Sequence, residues 1–159
     1  MIPATRDKLL RVGAKPVSAA LAQRGIKGRA LTKLPPADPF AGTVALTVEA
    51  CRAGSVLVAD LATPAADRLR QREIEVVARR DLRGLRPEVG DGLLRDRDSL
   101  VVIPAALVEE VAEAAAEAVA FEEFTADQVA QGGGVYGLHI PSGDRAKQAF
   151  AQWRRLKGR

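Results

Sequence analysis

The segment that most restricts the possible folds is Ser55-Val-Leu-Val-Ala-Asp60, a short apolar run closed by an acid. A strand with one wet face alternates apolar with polar residues. A strand that is apolar at consecutive positions needs cover on both faces. Ile74-Glu-Val-Val-Ala78 reads as the strand after it, and Leu93-Leu94 with Leu100-Val-Val-Ile103 bracket the charged stretch Arg95-Asp-Arg-Asp-Ser99 as a β-hairpin. Upstream, Gly28-Arg-Ala-Leu-Thr-Lys-Leu34 alternates in the β manner until Pro35-Pro36 forces an extended turn. The fold class that follows is α/β, a small sheet layered with helices.

The helices are read from periodicity and punctuation. Thr5 or Asp7 is placed to cap a first helix over Lys8–Leu21, which Pro16 breaks in two. The second piece, Val17–Arg24, stops at Gly25. Thr43–Cys51 reads as a helix between strands, ended by Arg52-Ala-Gly54. Ala62–Ala66 is a tight link before a short polar helix at Asp67–Arg72. Pro104 then opens an amphipathic helix over 105–131. Leu107, Val108, Val111, Ala115, Ala118 and Val119 recur on one face, and Glu109, Glu110, Glu113, Glu117, Glu122 and Glu123 lie on the other. Gly132-Gly-Gly134 closes it. A last helix, capped by Ser142 or Asp144, aligns Ala146, Ala149, Phe150, Trp153 and Leu156. These two helices predict a division into an α/β core, 1–104, and a C-terminal helical extension, 105–159.

Composition narrows the function classes. One Cys and one His in 159 residues exclude an internal disulfide and any metal site built on thiolate and imidazole, so a metal here would sit on oxygen. No apolar run reaches eighteen residues, and no leader-like segment opens the chain, so a cytoplasmic location with no membrane partner is expected. Charge is uneven. Residues 1–36 carry eight Lys/Arg and one acid, 105–131 carry seven acids and no base, and the last sixteen residues carry six Lys/Arg and one acid. The basic positions are scattered among apolar helix sites and have no aromatic stacking platform beside them. That argues against nucleic acid and for opposite charges that face solvent or meet between subunits.

Taken in order, several segments resemble the family that contains the RNase E inhibitor RraA and the 4-hydroxy-4-methyl-2-oxoglutarate (HMG/CHA) aldolases. Leu10-Arg-Val through Ala19-Ala-Leu-Ala-Gln-Arg-Gly25 is similar to its first helix, and Gly28-Arg-Ala-Leu-Thr with Pro35-Pro-Ala-Asp38 to its first strand and turn. Arg52-Ala-Gly-Ser-Val-Leu-Val-Ala-Asp60 is similar to the strand written PGDVLVVD, and Gly90–Pro104 to the hairpin GDxVVxDxDGVVVIP. The resemblance implies an RraA-like layered β/α fold and assembly as a trimer or hexamer, or with a related family member. The C-terminal extension aligns the chain with the aldolase-type branch rather than with the RNase inhibitor.

In catalytic members the strand ending at the equivalent of Asp60 leads into a glycine-rich loop, a Gly-x-x-x-Arg helix and a strand ending in Arg-Asp. That arginine binds a keto-acid carboxylate, and that aspartate holds a divalent metal which stabilises the enolate left by carbon–carbon cleavage. Here Leu61-Ala-Thr-Pro-Ala-Ala-Asp67 stands where that block is expected, and the segment after it is similar to a later part of the family pattern. The resemblance therefore implies a diverged, non-catalytic protein that binds, regulates or assembles and has no cofactor. The alternative is a Mg²⁺- or Mn²⁺-dependent lyase, an aldolase or oxaloacetate decarboxylase acting on a small keto acid, with Arg80-Asp81 as a rebuilt dipeptide and Asp81 as the candidate metal ligand.

The other reactive residue types read as structural. His139 lies in a Gly-rich loop and reads as a surface or packed histidine. Cys51 reads as a small buried apolar residue, and Gly132-Gly-Gly134 follows a helix, where the dipole has the wrong sign for an anion. The Glu face has i,i+4 pairs but no wall to perturb them.

Overall fold

Alternation along each strand decides which side chains are buried together, and in this chain the two sheet faces are covered differently. The computed structural model describes residues 1–132 and 144–158. Two compact units are present, Met1–Ala116 and Glu117–Arg159.

The first unit is mixed α/β. Its elements in chain order are α1 (Pro3–Val12), α2 (Ala14–Gln23), β1 (Ala30–Leu31), β2 (Phe40–Ala45), β3 (Ser55–Val58), α3 (Thr63–Arg70), β4 (Glu75–Val77), β5 (Gly92–Arg95) and β6 (Leu100–Ile103), followed by the start of α4 (Val108–Ala130). The six strands form one sheet in the order β1-β6-β5-β2-β3-β4. β2, β3 and β4 run parallel, with Val44 opposite Val56 and Leu57 opposite Val76. The remaining pairs are antiparallel, and the predicted hairpin sets Leu93 against Val102 and Leu94 against Val101.

On one face Ala41, Leu94, Val101 and Ile103 pack with Leu9, Val17 and Leu21 of the first two helices and with Val108, Val111 and Ala115 of α4. Further along, Ala45 and Leu57 pack with Leu69 of α3. The opposite face carries Val44, Val56, Val58, Val77, Leu93, Leu100 and Val102. There the cover comes from Leu34 and from Leu82 in a 3₁₀ turn at Arg79–Leu82, and no α-helical residue belongs to that cluster. All four residues of β3 are buried, as the apolar run requires. One side is sealed by helices and the other by loops.

Several local expectations are corrected. Thr43–Cys51 is not a helix. Residues through Ala45 form β2, because Thr43 and Val44 are β-branched and their ladder partners on β3 and β5 outweigh helix propensity. The first two helices divide at Gly13 rather than at Pro16. Gly13 has φ +80°, and the Ala14 amide beside it donates to Asp96 Oδ2 at 2.7 Å; Pro16 fits the first turn of α2, where no amide is needed. Neither Thr5 nor Asp7 caps α1, which begins at Pro3. Within the alternating stretch 28–34 only Ala30–Leu31 is strand. Ala62–Ala66 is not a link: α3 starts at Thr63, with Pro64 in its first turn, and ends at Arg70. The long helix opens with a 3₁₀ turn, Ala105–Leu107.

Asp91 organises that opening. It is buried, and it accepts hydrogen bonds from the Glu88 amide at 3.1 Å and the Ala105 amide at 3.0 Å, while Arg29 lies 3.6 Å away. The two acids that flank β5, Asp91 and Asp96, thus each receive an amide at the start of a helical segment. The basic and acidic segments also meet within this unit: Lys8 pairs with Glu113, and Arg24 with Glu110 at 2.8 Å.

The second unit is a helical pair, the later part of α4 with α5 (Asp144–Lys157). Its core is aromatic: Phe121, Phe124, Phe150 and Trp153 surround Ala120, with the Phe121 and Phe150 rings edge to face at 5.3 Å. Three of the four Phe and the single Trp of the chain are gathered here. Trp153 Nε1 donates to Asp127 at 2.8 Å, and Lys157 lies 3.2 Å from the same carboxylate. Leu156, placed on the apolar stripe by sequence, is exposed.

Candidate functional site

Arg80 and Asp81 lie on the 3₁₀ turn that follows β4. Both side chains face solvent, at 86% and 59% exposure, and Arg80 Nε lies 4.0 Å from Asp81 Oδ1. Asp60, at the end of the β3 run, accepts a hydrogen bond from the Arg79 amide at 3.0 Å and so ties the two strand ends together. Among the described residues no three His, Cys, Asp or Glu side chains gather as a ligand set. An exposed carboxylate beside its own neighbouring guanidinium lacks the converging oxygen donors that hold a divalent ion against hydration, so the residues present do not fit the metal that the resemblance implies.

Cys51 is buried, and its Sγ donates to the Thr47 carbonyl at 3.3 Å. Burial pushes the thiol pKa up, against the opposing pull of Arg52 and Arg72, so it is held protonated rather than as a nucleophilic thiolate. His139, Gly133 and Gly134 lie outside the described residues, whereas Gly132 has φ +82° just past the end of α4. On the Glu face, Glu110 and Glu113 are engaged by Arg24 and Lys8. Among the described residues no helix is long and apolar enough to cross a membrane.

A cleft of about 780 Å³ opens on the loop-covered side of the sheet, within the size range of small-molecule sites. It is built from the chain upward. Lys33 takes φ +56°, and the proline-rich segment that follows is laid along the hairpin tip, with Leu34 N donating to Asp98 O at 2.8 Å and Ala37 N to Arg97 O at 3.0 Å. That registration brings the Pro35 carbonyl to Arg95, whose Nη2 donates to it at 2.5 Å. The apolar lining includes Leu34, Pro35, Pro39, Phe40, Val77 and Leu100.

The charges of the cleft do not balance locally. Arg70 is engaged by Asp67 at 2.9 Å and Glu75 at 3.8 Å, and Arg80 leans on Asp81. Arg83 and Arg95 have no carboxylate partner among the described residues. Arg95 is the unusual one. It is only 8% exposed, and its Nε has neither an acceptor nor solvent. A guanidinium taken out of water without a counter-charge costs several kcal/mol. In sequence Arg95 sits in a charged hairpin tip and looks like a solvated residue. Its parity with Leu93 along β5, which turns it to the loop-covered face, was the available signal.

No protein-family model matches the chain, and no curated protein matches it. Among solved structures it is similar to an uncharacterized protein from Pseudomonas syringae pv. tomato str. DC3000, at 16% identity and TM-score 0.63, over 88% of this chain and 98% of that one. It is also similar to a structure described as novel cellulases from microbes associated with the gut ecosystem, at 12% identity and TM-score 0.58, over 77% of this chain and 89% of that one. At these identities the likeness is one of fold.

Proposed function

We propose that the chain is a diverged protein of the RraA and HMG/CHA aldolase type that binds, regulates or assembles rather than cleaving carbon–carbon bonds. It works as a homo-oligomer or beside a related member. The observation that carries the reading is the closure after Asp60. β3 and β4 are direct parallel neighbours joined by α3 alone, and the Asp60 carboxylate is engaged by the amide that precedes Arg80-Asp81. The resemblance puts a glycine-rich loop, a further helix and a further strand in that place, and with them the clamp and the metal ligand. In their absence, the metal that would take up the charge of a forming enolate has no ligand set among the described residues.

The test is turnover. Purified protein is assayed for pyruvate release from 4-hydroxy-4-methyl-2-oxoglutarate and for oxaloacetate decarboxylation, with Mg²⁺ or Mn²⁺ added, beside Asp81→Ala. The expected result is a rate equal to the metal-only control for both proteins. Metal-dependent turnover that disappears in Asp81→Ala would overturn the reading. Sedimentation velocity gives the assembly state, and a monomer at micromolar concentration would remove its homo-oligomer part.

A further inference from the structure

We infer that the cleft beside Arg95 is a binding site for a small organic carboxylate with an apolar body. Arg95 is the end residue of a strand buried at every position, and one neutral carbonyl, that of Pro35, is its sole hydrogen-bond acceptor among the described residues. A side chain in this position is stabilised by an anion that enters the cleft it lines. Pro35 takes one of the two Nη2 hydrogens, and a planar carboxylate accepts along two parallel directions from an adjacent pair of guanidinium donors, Nη1 with Nη2 or Nη2 with Nε, whichever the remaining Nη2 hydrogen faces.

The walls choose the rest of the molecule. Proline rings, Phe40 and the edges of Leu34, Val77 and Leu100 offer apolar surface, so the body of the ligand is apolar and compact. Asp38, Glu75 and Asp81 line the cleft against Arg70, Arg80, Arg83 and Arg95, which leaves one positive charge in excess, and a single negative charge on the ligand matches it. That selects a monocarboxylate over inorganic phosphate. Arg95 is not the arginine that the family resemblance marks for a carboxylate. The resemblance puts that arginine in the block after Asp60, whose place Leu61–Asp67 takes in this sequence.

The assignment rests on the reading of the chain as a binding protein, and the experiment separates the two. Benzoate is titrated into the full chain, labelled with ¹⁵N, and the Arg95 Nε–H resonance and the calorimetric heat are followed. The expected result is saturable binding with a shift of that resonance, a loss of affinity of tenfold or more in Arg95→Met, and a change of less than twofold in Arg86→Ala, which removes the same charge from an exposed position outside the cleft. Equal affinity in Arg95→Met and Arg86→Ala would overturn the site, as would no binding, or tighter binding of inorganic phosphate than of benzoate. The resonance shift in the unaltered chain keeps the test decisive if Arg95→Met fails to fold. Pyruvate release by the same samples would overturn the non-catalytic reading and leave the Arg95 site standing.

Discussion

Replacing Arg95 by methionine is expected to make the protein more stable. In the folded chain Arg95 is more than nine-tenths buried, its guanidinium has one hydrogen bond to a neutral carbonyl, and Nε is left without a partner. The Pro35 bond contributes about 1.5–3 kcal/mol as a bond from a charged donor. Against it stand a desolvation cost of several kcal/mol for the ion and about 1–3 kcal/mol for the orphaned donor. Methionine keeps an unbranched stem beside its ladder partner Leu100, and Pro35, whose carbonyl loses its donor, is exposed to water. The balance favours the variant by about 1–3 kcal/mol, and at about 4 °C per kcal/mol for a domain of this size the midpoint rises by roughly 4–12 °C. Thermal and urea denaturation followed by circular dichroism measure it, with benzoate absent. A variant with a native spectrum and an unchanged or lower midpoint would refute the reasoning, since the charge would then be matched in the unliganded protein.

Further outcomes follow from the same packing. Gly42→Ala in β2 is expected to destabilise the first unit by about 1–3 kcal/mol, because an added Cβ would lie 2.5 Å from the Gly54 carbonyl oxygen and 2.8 Å from Val56 Cγ2. A denaturant midpoint within error of the parent chain would contradict this. Asp91→Ala strands the Glu88 and Ala105 amides and is expected to cost about 2–4 kcal/mol, read as a lower midpoint together with faster amide exchange at Ala105. In the helical pair, the Trp153 hydrogen bond and then Lys157 hold the Asp127 carboxyl below its ordinary value. The stabilisation is present above the unfolded Asp pKa of about 3.9 and is lost as pH falls through the lower folded value. Emission from Trp153, the single tryptophan, is expected to hold steady from neutral pH to about 4 and to change only below that, with no such transition in Asp127→Asn. A transition between pH 5 and 7 would contradict it.

The sequence by itself determined what periodicity and punctuation encode. The consecutive apolar residues of Ser55–Val58, the hairpin around Arg95–Ser99 and the Ala/Glu pattern from Val108 all lie where local patterning put them, because each is specified by neighbours a few residues away. Tertiary structure decided the rest. Thr43–Ala45 became strand through partners on β3 and β5, and the helix break moved to Gly13 because Asp96, distant in sequence, accepts the Ala14 amide. The candidate site shows the same division. Asp81 was legible as a dipeptide, yet its exposure was not. Arg95 was an unremarkable charge in a charged tip until the Pro35 segment closed over it, since burial and lack of a partner are properties of surroundings that no local window contains.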